Sequence, residues 1–214
     1  MTAPAAAQTI PEYGHVFSGP GGAFAWLEGP IAAFLADSPG PLRILDVGCG
    51  NGYWAARLAG SKHRIVGIDA SSDRIAHARR EVAGARFERI EIGPDLLREL
   101  GEDPFDLVIS TEVVEHLFLP RVWAQACFAA LRPGGRLVCS TPYHGYLKNL
   151  LIAASGHWDR HHHTLRSVGH IKFFSRASLT RLLADAGFAN IRFRGAGRLP
   201  WLWKSMVMGA ERPA

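Results

Sequence analysis

Cysteine is scarce: three in 214 residues, Cys49, Cys127 and Cys139, with no CxxC spacing. That excludes a disulfide framework and a cysteine-based zinc site, and it points to a reducing, cytoplasmic setting. No long apolar run occurs, which removes a membrane-spanning helix. Met1 to Ala7 lacks the basic and apolar regions of a secretory signal. Repeats and low-complexity tracts are missing beyond Ala3 to Ala7. Acidic residues are short in one place. Residues 141–204 hold ten Lys/Arg against Asp159 and Asp185, a local +8 within an overall +5, leaving −3 for residues 1–140. Such a basic third can meet nucleic acid, an anionic lipid surface or an acidic small molecule, because screened attraction is indifferent to partner identity.

What is present fits a single domain over 1–214 with a full core, since 48% of residues are hydrophobic. Short apolar runs bounded by turn residues predict strands at Arg43 to Val47, Arg64 to Ile68, Arg86 to Ile92, Phe105 to Ser110 and Arg136 to Ser140. Helix-length segments lie between them at Tyr53 to Ala59, Ser72 to Ala83 and Arg121 to Leu131, with Ser71 or Ser72 as N-cap. The β-α-β-α order implies an α/β fold on a parallel sheet. Arg132 to Gly135 reads as a tight turn into the fifth strand. Ser175 to Ala186 reads as a capped helix, and Ala189 to Arg194 with Trp201 to Ala210 as a closing antiparallel hairpin turning at Gly195 to Pro200. Ala23 to Leu35 has a broken helical period punctuated by Gly29-Pro30, and it is expected to cap the ligand cleft.

The strongest local signal is Leu45 to Gly52, LDVGCGNG, where the first strand meets the first helix. Glycines there let a ligand approach the backbone. The spacing is GxGxG rather than the GxGxxG of dinucleotide sites, because Tyr53 takes the slot of the third glycine. A second acid, Asp69, ends the second strand, where a carboxylate can accept both hydroxyls of an adenosine ribose. The alternative structural roles are a helix cap for Asp69 and a loop brace for Asp46.

At these residues the chain resembles the class I S-adenosylmethionine-dependent methyltransferases, in motif order over roughly residues 40 to 140. The resemblance implies a Rossmann-like, doubly wound, mostly parallel seven-stranded sheet with an antiparallel C-terminal edge and a lid insertion. It divides the chain into an N-terminal cap (1–38), a cofactor-binding core (40–140), a substrate lid (141–174) and a C-terminal helix and hairpin (175–214). It implies S-adenosylmethionine as cofactor, held by Asp46, Gly48, Cys49, Gly50, Gly52, Asp69, Ala70, Ile92 and Thr111. One departure shows: many relatives carry an acid directly after the third strand, whereas here Ile92-Gly93-Pro94 precedes Asp95.

The segment Glu112 to His116, EVVEH, is similar to the ExxEH signature of the quinone-biosynthesis O-methyltransferases and of some RNA 2′-O-methyltransferases. In those relatives the two Glu and the His can bind a divalent ion. On a helical turn Glu112, Glu115 and His116 would share one face and could converge on Mg²⁺ or another divalent metal, with His170 as a fourth ligand. His116 is also a candidate general base, and His144 a candidate for substrate contact or proton transfer. His161 to His163 read as a solvated loop, because three consecutive side chains diverge. Tyr143, Tyr146, Trp158, Phe173 and Phe174 interleave with Lys148, Arg160 and Lys172, a mixture suited to an apolar ring, an acidic lipid surface or bases. The expected reaction is methyl transfer to a hydroxyl of a small, partly apolar, phenol- or quinol-like acceptor. RNA 2′-O-, N- or C-methylation, then nicotinamide-dependent oxidoreduction or plain nucleic-acid binding, are the alternatives. The expected partner is a small-molecule acceptor, with peripheral membrane contact open and no stable nucleic-acid partner.

Overall fold

A computed structural model describes residues 24–36, 40–58, 62–162 and 169–214. Seven strands form one sheet in the order β3-β2-β1-β4-β5-β7-β6. They are β1 (Arg43–Val47), β2 (Arg64–Asp69), β3 (Ala85–Arg89), β4 (Phe105–Thr111), β5 (Leu131–Pro142), β6 (Ala189–Ala196) and β7 (Ser205–Glu211). β1 to β5 are mutually parallel, and β7 lies antiparallel between β5 and β6. The Rossmann-like sheet with an antiparallel edge expected from the sequence is therefore the one found.

Alternation along the strands sends side chains to two cores. Leu45 and Val47 join one with α4 (Leu96–Leu100), α5 (Pro120–Ala130) and α8 (Arg176–Asp185), where Trp123 and Leu179 are fully buried. Ile44 faces the other, built on α1 (Ala25–Leu35), α2 (Tyr53–Leu58) and α3 (Ser72–Glu81). α1 stays helical through Pro30 and buries Leu27, Ile31 and Phe34, spaced along one face. α3 is capped by Ser71, whose side chain accepts from Arg74 N, and α8 by a capping box between Ser175 and Ser178.

Several boundaries differ from the sequence reading, each for a local reason. β3 ends at Arg89 because its partner ladder ends at the Asp69–Arg89 pair. The Arg132 to Gly135 turn is a bulge inside β5: Leu131 already pairs with Phe105, and Arg136 resumes opposite Leu107. Gly134 N and Arg212 N close the bulge by donating to Arg212 O and Gly135 O. β6 runs on to Ala196 because Gly195 lets the Trp203 ring lie on the strand; a Cβ there would sit 2.0 Å from that ring. β7 correspondingly starts at Ser205, not Trp201, which has φ +63° and belongs to the turn. The segment expected to form a substrate lid, 141–174, contains α6 (Tyr146–Ala154) and α7 (Trp158–His162). The N-terminal cap expected over 1–38 lies mostly outside the described residues, as does His163.

Candidate active site

The carboxyl ends of β1, β2 and β4 converge where strand order reverses, the place where open α/β sheets bind ligands. The loop after β1 is tied to β2: Gly48 N and Cys49 N both donate to Ile68 O, and Gly50 N donates to Asp69 Oδ2 at 3.0 Å. Gly48, Gly50 and Gly52 all have positive φ, yet their surroundings differ. A Cβ at Gly48 would lie 2.4 Å from Val113 Cγ2, and one at Gly52 would press on Phe87 and Val82 at 3.1 Å. At Gly50 the nearest atom would be the tip of Arg74 at 3.8 Å. Gly48 and Gly52 serve packing, and Gly50 leaves the loop open on the side a ligand would approach.

Asp46 is 1% exposed, and among the described residues neither carboxylate oxygen has a hydrogen-bond partner. Burial, reinforced by the charge of Asp69, pushes its carboxyl up to about 7. A buried acid with orphan acceptors fits a ligand that brings cationic donors. Asp69 braces the loop as well as ending β2, since Oδ1 accepts from Ser71 N at 2.9 Å. Each of its oxygens retains a second lone pair for a ribose hydroxyl. Cys49 is buried, Ala70 exposed and Ile92 half-buried beside the same rim. Thr111 Oγ1 accepts from Trp54 Nε1 at 2.9 Å, fastening the end of β4 to α2.

Beyond β4 the geometry corrects the metal expectation. Glu112 has φ +54° and precedes a three-residue 3₁₀ turn, Val114–His116, so the two Glu and the His do not line one α-helical face. The ligand atoms that lie within 4.8 Å of one another belong to Glu115, His116 and His170, and Glu112 is outside that group. Glu112 instead accepts from Ser140 Oγ at 2.8 Å, and burial raises its carboxyl to about 7 against the hydrogen bonds of Ser140 and Ser205. Glu115 is fully buried. Its Oε2 accepts from Thr141 Oγ1 at 2.9 Å and its Oε1 lies 3.9 Å from His116 Nε2. Burial, then the Glu112 charge, raises Glu115 well above the ordinary carboxylate range.

His116 Nδ1 lies 2.9 Å from Gly169 O. A carbonyl only accepts, so Nδ1 carries the proton and Nε2 is the basic nitrogen. Desolvation lowers His116 from its ordinary value, keeping the ring neutral at pH 7. His170 packs edge-on against it, with centroids 4.9 Å apart. His144 is elsewhere, buried among Phe173, His161 and His162, with Nδ1 at 3.3 Å from Asn149 Oδ1 and burial depressing it to about 4. The solvated-loop reading does not hold: His161 and His162 lie in α7, His161 is exposed but its ring meets that of His144, and His162 packs on Trp158 and Phe173. Cys127 and Cys139 are buried core thiols.

Sequence reasoning missed the hydroxyls that hold the two acids, Ser140 and Thr141 at the end of β5. A Ser-Thr pair ending a strand that adjoins the β4 loop was the available signal. In the sequence Lys148 is one of several bases among aromatics, yet it is the one buried residue of α6.

Residues 24–192 match the family model described as a methyltransferase domain. The chain belongs to the methyltransferase-domain family. The chain is 34% identical over 169 residues to a ubiquinone biosynthesis O-methyltransferase of Dinoroseobacter shibae, covering 74% of this chain and 65% of the relative. It is 33% identical over 147 residues to a Mycolicibacterium smegmatis protein named a probable S-adenosylmethionine-dependent methyltransferase, covering 68% of this chain and 51% of that protein. The chain thus spans between half and two thirds of the length of these curated relatives. The magnesium protoporphyrin IX methyltransferase of Synechocystis PCC 6803, solved with S-adenosylhomocysteine bound, superposes with a TM-score of 0.66 at 19% identity, covering 87% of this chain and 81% of that one. At that identity the likeness shows the fold alone.

Proposed function

We propose that the protein transfers a methyl group from S-adenosylmethionine to a hydroxyl oxygen of a small, partly apolar acceptor of phenol or quinol type. The observation that carries the reading is Asp46, a buried acid with two orphan oxygens beneath a glycine loop left open at Gly50. The ammonium and sulfonium of the donor are the cationic partners such an acid lacks, and Asp69 offers lone pairs to its ribose. Relatives named for ubiquinone biosynthesis support an oxygen acceptor.

Catalysis on this reading is mainly placement. The acceptor oxygen must lie in line with the methyl–sulfur bond at roughly 3 Å. The O–CH₃ bond forms as the S–CH₃ bond breaks, the sulfonium becomes a neutral thioether, and the hydroxyl proton goes to His116 Nε2. Burial and the Glu112 charge raise the Glu115 carboxyl, which favours its protonated form beside Nε2.

Glu115, His116 and His170 are also the set that would hold a divalent ion. A bound ion supplies Lewis acidity, lowering the pKa of the acceptor hydroxyl. His116 Nε2 cannot both ligate and take a proton, so sensitivity to chelator separates the two roles. The deciding experiment incubates the protein with S-adenosylmethionine and a panel of phenols, catechols and quinols under mass spectrometry. The mass gain of one CH₂ on a phenolic compound is the expected result; methylation of amines or carbons alone refutes the oxygen acceptor.

A further inference from the structure

β6 pairs antiparallel with β7, which pairs antiparallel with β5, so β6 runs parallel to β5. The turn after β6 therefore opens on the same rim as the glycine loop after β1 and Glu112 after β4. Read across the sheet, the rim carries the donor loop, then the Glu and His groups, then α6 after β5 and the β6–β7 turn.

Between α6 and that turn lies a pocket of about 480 Å³. Leu151 and Ile152 of α6, Leu199 and Leu202 of the turn, and His161 line it. α6 is inverted relative to an ordinary amphipathic helix. Its one buried residue is Lys148, at 6% exposure, while Tyr146, Leu147, Leu150 and Leu151 stand exposed, as does Leu199. Lys148 Nζ donates to Tyr143 O at 2.8 Å and to Lys204 O at 3.4 Å. An ammonium has three donors, so these bonds leave one for a ligand. Arg198 lines the same pocket and its charge acts on Lys148, as does the opposite charge of Glu112. Among the described residues no carboxylate forms an ion pair with either cation.

We propose that this pocket takes the acidic end of an amphipathic acceptor, an apolar chain or ring bearing a carboxylate held between Lys148 and Arg198. Calling that ligand an acceptor rests on the methyl-transfer reading; its chemical class rests on the pocket alone. Apolar walls and two cations favour a ligand that is both greasy and anionic. A neutral ligand would leave the charges unmet, and a small hydrophilic anion would leave the leucines in water.

The test is calorimetric titration of the protein, with S-adenosylhomocysteine present, by decanoate and by its neutral counterpart 1-decanol. Decanoate should bind at least about tenfold more tightly than the alcohol. Arg198→Gln, at an exposed position that folding tolerates, and Lys148→Met should each weaken decanoate about tenfold while leaving decanol and S-adenosylhomocysteine affinities unchanged. Equal affinity for acid and alcohol, no decanoate binding, or wild-type decanoate affinity in Arg198→Gln overturns the proposal. Absence of S-adenosylhomocysteine binding with decanoate selectivity intact refutes the methyl-transfer reading instead and leaves the pocket standing.

Discussion

Replacing Asp46 by Asn tests whether this acid is kept for a ligand at the cost of stability. The wild-type carboxyl is raised from 3.8 to about 7 by burial and by Asp69. A carboxyl whose folded pKa lies above its unfolded value binds its proton more tightly when folded. The favourable linkage is present below the unfolded value and is lost as pH rises through the folded one. Between pH 4 and 7 the ligand-free protein therefore loses about 4 kcal/mol, at roughly 1.4 kcal/mol per pKa unit. The amide side chain of the Asp46→Asn variant cannot ionise and feels none of this slope, although leaving it unpaired costs about 1–3 kcal/mol at every pH. Urea denaturation of both proteins at pH 5 and pH 8 isolates the effect, because other titrating groups cancel between them. The stability of Asp46→Asn relative to wild type should improve by more than about 2 kcal/mol from pH 5 to pH 8. S-adenosylhomocysteine should raise the melting temperature of the wild type and not of the variant. A relative stability independent of pH would show that Asp46 has an unseen partner in the free protein, and the argument for a ligand-directed acid would fall.

The remaining predictions concern neighbouring groups. Gly48→Ala drives a Cβ to within 2.4 Å of Val113, so it should lower stability by about 2 kcal/mol or more. Gly50→Val should cost only the left-handed strain of about 1–2 kcal/mol yet block S-adenosylhomocysteine binding, as melting and calorimetry will show. Because burial raises the Glu115 carboxyl and so favours its protonated form, Glu115→Gln should change stability at pH 7 by less than about 1 kcal/mol while abolishing any activation by Mg²⁺. Strong destabilisation would mean that Glu115 is ionised. With His116 lowered, activity should rise with pH on a limb centred below 6.5, and His116→Gln should remove that limb with about a hundredfold of the rate. A pH profile unchanged by the substitution assigns proton removal elsewhere.

The sheet was legible because its strands are short apolar runs separated by turn residues, a local property of the chain. LDVGCGNG could be placed on a strand-to-helix turn for the same reason. What failed depended on contacts between distant segments. The end of β3 is set by where β2 stops, and the start of β7 by Trp203 lying across Gly195. Helices α4 and α7 have five residues each, too short for a 3.6-residue period to emerge. The misplacement of Glu112 arose from assuming an α-helical turn where its positive φ and the 3₁₀ geometry aim it at β5 instead. Spacing drew attention to both acids; the backbone gives them different hydrogen-bond partners, Ser140 for Glu112 and Thr141 for Glu115.

β7, the last of the seven strands in the sequence, occupies an interior position, with Ser205 to Ala210 all buried between β5 and β6. During synthesis, β1 to β5 can therefore form their ladders while the far side of the sheet still lacks its bridge. Until that strand threads into place, β5 presents an open edge that could recruit another nascent chain. Completion of the sheet thus waits on β7, and crowding by sister chains before it is in place is the hazard this architecture builds in.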